Sequence, residues 1–289
     1  MNGILLVDKE QGWTSSDVVV KLKGVLRQRR VGHAGTLDPM ATGLLVVFAG
    51  RATRAVEFAE RDSKRYLASL RLGLVTDTQD IWGTVLDRRP ADVDREALEA
   101  VLARFRGEQE QLPPMYSALK VGGKKLCDVA RRGGELERKP RRITVHALEL
   151  LGRDGEDWLL DIRCSKGTYV RTLCHDIGAA LGCGGCMSAL RRVEAGGFSV
   201  EDALKIGEIQ ALADAGELED RLLPVDSLFA DRPACRVTPE EERKLRCGSV
   251  FPTSLPDGEY RVYGENGSFL MLGRCERGGM HTVKSFFEV

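Results

Sequence analysis

The sequence has 289 residues, of which 43% are hydrophobic and 30% are charged, and its 43 basic and 43 acidic residues give a net charge of zero. This balance is typical of a globular protein and excludes a chain that is disordered throughout. At roughly 150 residues per domain, the length predicts about two domains. No apolar run approaches the ~18 residues that span a bilayer, and residues 1–8 lack the basic start and cleavage site of a secretory leader. We therefore expect a soluble, cytoplasmic protein.

The first half of the chain predicts strands and helices in mixed order. Apolar runs at 3–8 and 44–48 indicate buried strands, and the segment between 30 and 43 is expected to be a loop. A helix is predicted over 17–27, with Ser15 or Ser16 as its N-cap. The elements that follow are a strand at 64–73, a turn-rich segment at 77–83, a helix at 95–106, a proline-broken loop at 112–120, strands at 141–151 and 157–164, and a helix at 168–181.

The pattern changes near Pro233. Thr238 and Glu241 form a predicted capping box for a helix that should end near Gly248. Short strands are then predicted at 258–264, 268–275 and 280–288. The sequence thus predicts an α+β fold, with a mixed, largely antiparallel sheet and inserted helices and loops in a domain over 1–231, and a small β-rich domain over 232–289.

The zero net charge results from segregated regions of opposite sign. Residues 120–142 carry nine bases against three acids, whereas residues 201–231 carry nine acids against two bases. A charged run is most often a solvated face, but a basic segment of this density is also suited to a polyanion such as nucleic acid. The nine bases are Lys120, Lys124, Lys125, Arg131, Arg132, Arg138, Lys139, Arg141 and Arg142.

The eight cysteines are expected to be reduced thiols in a cytoplasmic protein. Cys183 and Cys186 are the one closely spaced pair, and a zinc ribbon would need a second pair or two spaced histidines. We therefore expect no metal site, and interpret the cysteines as small neutral side chains.

The segment VGHAGTLDPMATGLLVV, at 31–47, holds a single carboxylate, Asp38, among glycines. It lacks the Gly-Lys-Ser/Thr of a phosphate loop, and no glycine fingerprint of dinucleotide binding occurs in the chain, so no such cofactor is expected. Asp before Pro commonly opens a turn, which is the simple alternative. However, glycines admit close approach of another backbone, and a loop between rigid strands is a frequent place for reactive groups.

Six segments in order resemble the tRNA pseudouridine synthases of the TruB type, and the resemblance covers nearly the whole chain. They are NGILLVDKEQGWTSSDVV (2–19), GHAGTLDPMATGLL (32–45), KRYLASLRLGLVTDTQDIWG (64–83), PPMYSALKVGGKKL (113–126), CSKGTYVRTLCHDIG (164–178) and LRRVEAGGF (190–198). The part from RCGSVFP onward resembles the PUA-like RNA-binding domain of these proteins. Glu10 departs from the family, which commonly has proline there.

The resemblance implies a cofactor-free isomerisation of uridine to pseudouridine in the T loop of tRNA, at the uridine conventionally numbered 55. It also implies a role for individual residues. Asp38 matches the essential carboxylate, Arg171 its arginine partner, Tyr66 the tyrosine that stacks on the base, Tyr169 and Leu190 the lining of the uracil pocket, and His33 the histidine that contacts the T loop. Lys9 and Lys64 match basic positions near the cleft. Without the motifs, these residues would be interpreted as core aromatics, core leucine or solvated surface charges.

Two other functions stay open at this point. The chain could be an RNA-binding or tRNA-folding protein in which catalysis is secondary, although a pure binder does not need a carboxylate in a glycine loop. It could also be a guide-RNA-dependent synthase of the dyskerin kind, although the short chain without long basic tails favours a stand-alone enzyme. We expect tRNA, through its T arm, as the partner, a monomer with no required protein partner, and no membrane association.

Overall fold

The computed structural model describes residues 1–59 and 63–287. In this part of the chain, the helices α1 to α7 are Ser15–Val25, Val56–Ala59, Arg95–Arg104, Leu126–Ala130, Val170–Ala180, Ile206–Ala215 and Pro239–Arg246. The strands β1 to β18 are Gly3–Lys9, Val31–Ala34, Thr42–Ala49, Lys64–Leu72, Leu74–Thr76, Val85–Arg88, Gly107–Gln111, Lys120–Val121, Lys124–Lys125, Arg141–Asp154, Asp157–Cys164, Gly185–Ala195, Phe198–Ser199, Ala234–Arg236, Phe251–Pro252, Gly258–Tyr263, Phe269–Glu276 and Gly279–Ser285. None of the helices in these two ranges combines the length and apolarity of a membrane span.

A nine-stranded sheet forms the body of the described chain, in the order β1-β3-β12-β4-β11-β10-β7, with β2 beside β3 and β13 beside β12. Its neighbours pair antiparallel except β12 and β3, which are parallel where Arg191 and Arg192 meet Thr42 and Gly43. The predicted α+β class with a mixed, largely antiparallel sheet is therefore confirmed.

Strand β1 is buried on both faces, which explains its unbroken apolar run. Leu5 and Val7 pack in one core cluster together with residues of α1, while Ile4 and Leu6 pack in a second cluster on the other face. Alternate side chains of a strand point to opposite faces, so a strand covered on both sides needs apolar residues at successive positions.

A second, five-stranded sheet, in the order β14-β16-β17-β18-β15, forms the C-terminal part. The predicted capping box is present: the Glu241 N–H donates to the Thr238 hydroxyl, and the Glu241 carboxylate accepts the Thr238 N–H. This sheet packs on the body, because Phe286 joins the second core cluster and Lys284 pairs with Glu57 at 2.8 Å. The strand predicted over 280–288 is Gly279–Ser285, and residues 288 and 289 lie outside the described ranges.

The structure corrects two sequence expectations and adds one strand that was not predicted. The N-cap of α1 is Thr14, not Ser15 or Ser16, because Thr14 exchanges hydrogen bonds with Asp17 in a capping box. The segment 30–43 is not all loop, since its first part is β2, paired with β3. The central strand β12 had no predicted counterpart: its glycine, serine and arginines look like a surface segment until β3 and β4 enclose it.

Candidate active site

Asp38 lies in a short loop between β2 and β3, and hydrogen bonds hold this loop before and after Asp38. The hydroxyl of Ser15, in the first turn of α1, accepts the N–H of Leu37 at 2.9 Å and donates to the Leu37 carbonyl at 3.2 Å. The Asp38 carbonyl accepts the N–H of Ala41 at 3.0 Å. Ser15 thus holds the residue next to Asp38, which explains why it does not cap its own helix.

The side chain of Arg171 holds the Asp38 carboxylate through two hydrogen bonds. Arg171 stands in the first turn of α5, and its Nε and Nη2 donate to the two carboxylate oxygens at 2.8 and 3.2 Å. Its Nη1 also donates to the Thr78 carbonyl at 2.9 Å, and its Nη2 to the Tyr116 carbonyl at 2.7 Å. The arginine side chain is only 5% exposed and the aspartate 35%. A buried cation tied to two loops therefore orients a carboxylate that stays accessible from the cavity.

A cavity of about 510 Å³ opens in front of this pair. Its wall includes five of the six residues that the sequence indicated, namely Asp38, Tyr66, Tyr169, Arg171 and Leu190. Tyr66 and Leu190 come from the adjacent strands β4 and β12, and burial raises the pKa of the Tyr66 phenol, which is therefore neutral near pH 7. The sixth residue, His33, lies on β2 opposite Val47 and is not among the described residues that line the cavity.

Arg192 is a member of the cavity wall that sequence reasoning missed. It is 1% exposed, and it donates from Nε to the Leu44 carbonyl at 2.7 Å and from Nη2 to the Gly35 carbonyl at 2.9 Å. The glycines of the opening motif make room for it. A Cβ on Gly43 would lie 2.3 Å from the Arg192 carbonyl oxygen, and one on Gly35 would lie 3.1 Å from its Nη1. The two glycines therefore allow close packing against Arg192, Gly35 against its guanidinium and Gly43 against its backbone.

Lys9 and Lys64 are buried, which contradicts the alternative that both are solvated surface charges. The Lys9 ammonium donates to the carbonyls of Trp13 and Glu10 at 2.8 and 3.1 Å. Burial lowers the pKa of Lys9 to about 8, although the carboxylate of Asp38 acts in the opposite direction. Lys64 lines the cavity. The available signal was the position of Lys9 in the strand that begins with the apolar run at 3–7.

Two further polar residues support the predicted site residues. The amide of Gln111 accepts the Tyr169 N–H at 2.8 Å and donates to the Tyr169 carbonyl at 3.0 Å, which fixes the backbone just before α5. Asp80 places a carboxylate oxygen 3.8 Å from Arg171 Nη1, and burial raises its pKa. Neither residue stood out in the sequence, because both need partners from distant segments.

The basic segment 120–142 reaches from solvent to the cavity mouth. It contains the hairpin β8–β9 and the helix α4, where Lys124 and Lys125 are exposed. At its other end, Arg141 and Arg142 line the cavity. In the two described ranges, no group of three or more His, Cys, Asp or Glu side chains is arranged to hold a metal ion. All eight cysteines are free thiols.

Comparison with known proteins assigns the family. Residues 23–170 match the model of the TruB family pseudouridylate synthase N-terminal domain, and residues 171–230 match that of the tRNA pseudouridylate synthase B C-terminal domain. A protein of Azoarcus sp. (strain BH72) named tRNA pseudouridine synthase B is 44% identical over 97% of this chain and 93% of the relative. A protein of Clostridium kluyveri with the same name is 38% identical over 99% of this chain and 100% of the relative.

Solved structures agree on the fold. The structure described as "Crystal Structure of a Cbf5-Nop10-Gar1 Complex" contains a chain with a TM-score of 0.74 and 25% identity, which covers 99% of this chain and 85% of that one. The structure of an "H/ACA RNP bound to a substrate RNA containing 2'-deoxyuridine" has a similar chain, with a TM-score of 0.74 and 22% identity over 99% of this chain and 85% of that one. With its two family-model matches and its full-length relatives, the chain belongs to the TruB family of pseudouridylate synthases.

Proposed function

We propose that this chain isomerises uridine to pseudouridine at position 55, in the T loop of tRNA, with Asp38 as its essential carboxylate. The curated relatives carry the name tRNA pseudouridine synthase B, which supports tRNA as the substrate. The observation that carries the proposal is the forked contact of Arg171 with Asp38 at the wall of a cavity that also contains Tyr66.

The reaction moves no electrons to or from an external acceptor. The bond from ribose C1′ to uracil N1 breaks, the base turns, a bond from C1′ to C5 forms, and the proton on C5 is lost while N1 gains one. Two roles of Asp38 fit the geometry: attack on C1′ to give a covalent intermediate, or electrostatic stabilisation of the electron-poor sugar. Both need an ionised, accessible carboxylate. Because the isomerisation is redox-neutral, we propose that it needs no cofactor.

The cavity supports binding of a base that has left its stack. A volume of about 510 Å³ lies in the range of small-molecule sites. The phenol of Tyr66 supplies an aromatic face for the base, and Tyr169 and Leu190 supply the flanking surface. His33, on β2 outside the cavity, is proposed to contact the T loop that the uridine leaves.

Contacts to the phosphates of tRNA are proposed for the basic segment 120–142, since such contacts add affinity without reading sequence. The C-terminal sheet is proposed to increase RNA affinity without taking part in the chemistry, with the domain boundary at 231. A chain ending there should still form pseudouridine but bind tRNA more weakly. Total loss of turnover in that folded truncation, at saturating tRNA, would contradict this division.

We further propose a monomer that acts without a protein partner in the cytoplasm. Purified chain alone should convert tRNA, and its mass in solution should be that of one chain. Activity that appears only after a second protein or a guide RNA is added would contradict independence.

The deciding experiment compares wild type with Asp38→Asn on unmodified tRNA transcript. Pseudouridine at position 55 is measured by chemical labelling and primer extension, and tRNA binding is measured separately. The variant should bind tRNA and form no pseudouridine. Asp157→Asn is the matched control, because it removes a carboxylate paired with Arg71 outside the cavity and should keep full activity. A wild-type chain that binds and refolds tRNA without forming pseudouridine would favour the RNA-folding alternative.

A further inference from the structure

Five basic side chains gather where α1 ends and the chain turns into β2. Residues 21–30 contain Lys21, Lys23, Arg27, Arg29 and Arg30 and no acid. All five are exposed, and none of them forms an ion pair with another described residue. Many other surface arginines of the chain have acidic partners, for example Arg65 with Asp161. We call these five residues the α1 patch; its positive charge is not neutralised within the described chain.

Arg27 occupies a backbone position that suits glycine. Its φ is 50°, in the left-handed region. Its N–H donates to the Gly24 carbonyl and the N–H of Gln28 donates to the Lys23 carbonyl, both at 3.1 Å, which is the hydrogen-bond pattern of a Schellman helix end. A side chain in this conformation costs about 1–2 kcal/mol. The chain thus keeps a guanidinium at a position where the backbone alone would favour glycine.

A neighbouring donor also lacks an acceptor. The side-chain Nε2 of Gln28 is buried and has no hydrogen-bond partner among the described residues. Gln28 lines a shallow depression together with Lys23, Gly24, Arg27 and Arg29. The three cations that line this depression, Lys23, Arg27 and Arg29, suit a ligand that brings negatively charged acceptor oxygens, such as a phosphate group.

The position of the patch relative to the cavity follows from two elements. Helix α1 has 11 residues and is fastened at its first turn to Leu37 through Ser15. At ~1.5 Å per residue the helix spans roughly 16 Å. Strand β2 leads from the patch to Gly35 at the cavity wall, and its four residues span roughly 13 Å at ~3.3 Å each. The patch therefore lies about one helix length from the cavity, at a distance that one RNA arm covers.

From these observations we propose that the α1 patch binds backbone phosphates of the tRNA arm whose loop enters the cavity, as a contact area distinct from the basic segment 120–142. This inference rests on the proposed function, because it takes tRNA as the ligand. The patch contributes affinity and no base selectivity, since phosphate contacts carry no sequence information.

Two variants test the patch, with one matched control. Arg27→Gly removes a guanidinium and relieves the left-handed backbone, so its melting temperature should equal or exceed that of wild type. Arg29→Gln/Arg30→Gln removes two further charges. Arg88→Gln/Arg104→Gln removes two exposed arginines outside the patch and is the control. Affinity for unmodified tRNA is measured from 50 to 300 mM KCl, and single-turnover rates are measured at rising enzyme concentration.

Each lost contact should lower the slope of log K against log salt by about 0.7–0.9, which corresponds to roughly 5- to 8-fold weaker binding near 0.1 M salt. The loss should disappear at saturating enzyme. Unchanged slopes and affinities in both patch variants would overturn the proposal, and so would an equal loss in the control. Wild-type turnover on the same tRNA reports separately on the proposed function, so the two failures are distinguishable.

Discussion

The contact between Arg171 and Asp38 gives the sharpest prediction, for Arg171→Lys. The guanidinium makes four hydrogen bonds, two to the carboxylate and one each to the carbonyls of Thr78 and Tyr116. Lysine keeps the charge but has one nitrogen, so it cannot hold both carboxylate oxygens in a planar fork and also serve both carbonyls. Asp38 would then lose its fixed orientation toward the cavity.

The expected magnitude follows from this count. At least one charge-assisted hydrogen bond is lost, and such a bond contributes about 1.5–3 kcal/mol. If this loss falls on the transition state, the rate drops about 10- to 150-fold, since ~1.4 kcal/mol corresponds to a factor of ten. Carbonyls left unpaired would also lower the free energy of unfolding, so the variant is assayed well below its melting temperature.

The assay is the single-turnover rate of pseudouridine formation on tRNA transcript, with tRNA affinity measured in parallel. Affinity should change little, because it depends mainly on contacts outside the fork. Arg71→Lys is the matched control: Arg71 also binds two carboxylates, those of Asp157 and Glu156, but it is not among the residues that line the cavity, and its replacement should leave the rate unchanged. A rate for folded Arg171→Lys within twofold of wild type would refute the importance of the fork.

Three further changes have defined outcomes. Burial lowers the pKa of Lys9 to about 8 from 10.5, so the folded protein releases this proton before the unfolded chain does. The free energy of unfolding of wild type should therefore rise relative to that of Lys9→Met as pH rises from 8 to 10.5, by at most about 3 kcal/mol. The same difference between the two proteins at pH 7.5 and pH 10, measured by denaturation, would contradict this. Lys124→Ala/Lys125→Ala should flatten the salt dependence of tRNA binding by up to about two units of slope, and an unchanged slope would mean that these lysines do not contact RNA. Gln111→Glu removes the donor to the Tyr169 carbonyl and should slow single turnover by about 2- to 13-fold, at ~0.5–1.5 kcal/mol for one hydrogen bond, whereas Gln109→Glu should not.

The sequence by itself determined the elements whose signal is local. An apolar run predicts strand β1, and a capping box with proline at the first helical position predicts helix α7. The two long strands β10 and β11 also lie where they were predicted. These patterns depend on side chains within a few residues of one another, so they can be interpreted without knowledge of the rest of the chain. The family motifs also identified five of the residues that line the cavity, namely Asp38, Tyr66, Tyr169, Arg171 and Leu190.

Only the tertiary structure decided where charges are buried and which strand is central. Arg192 looks like a surface residue in sequence, yet its strand β12 lies between β3 and β4, and its side chain donates to carbonyls about 150 residues earlier in the chain. Lys9 and Gln111 acquire their partners in the same way. The cost of burying a polar group depends on partners that folding brings from distant segments, so no local pattern contains it. The α1 patch shows the converse. Its five charges can be identified in the sequence, but only the folded chain shows that they lack acidic partners and how far they lie from Asp38.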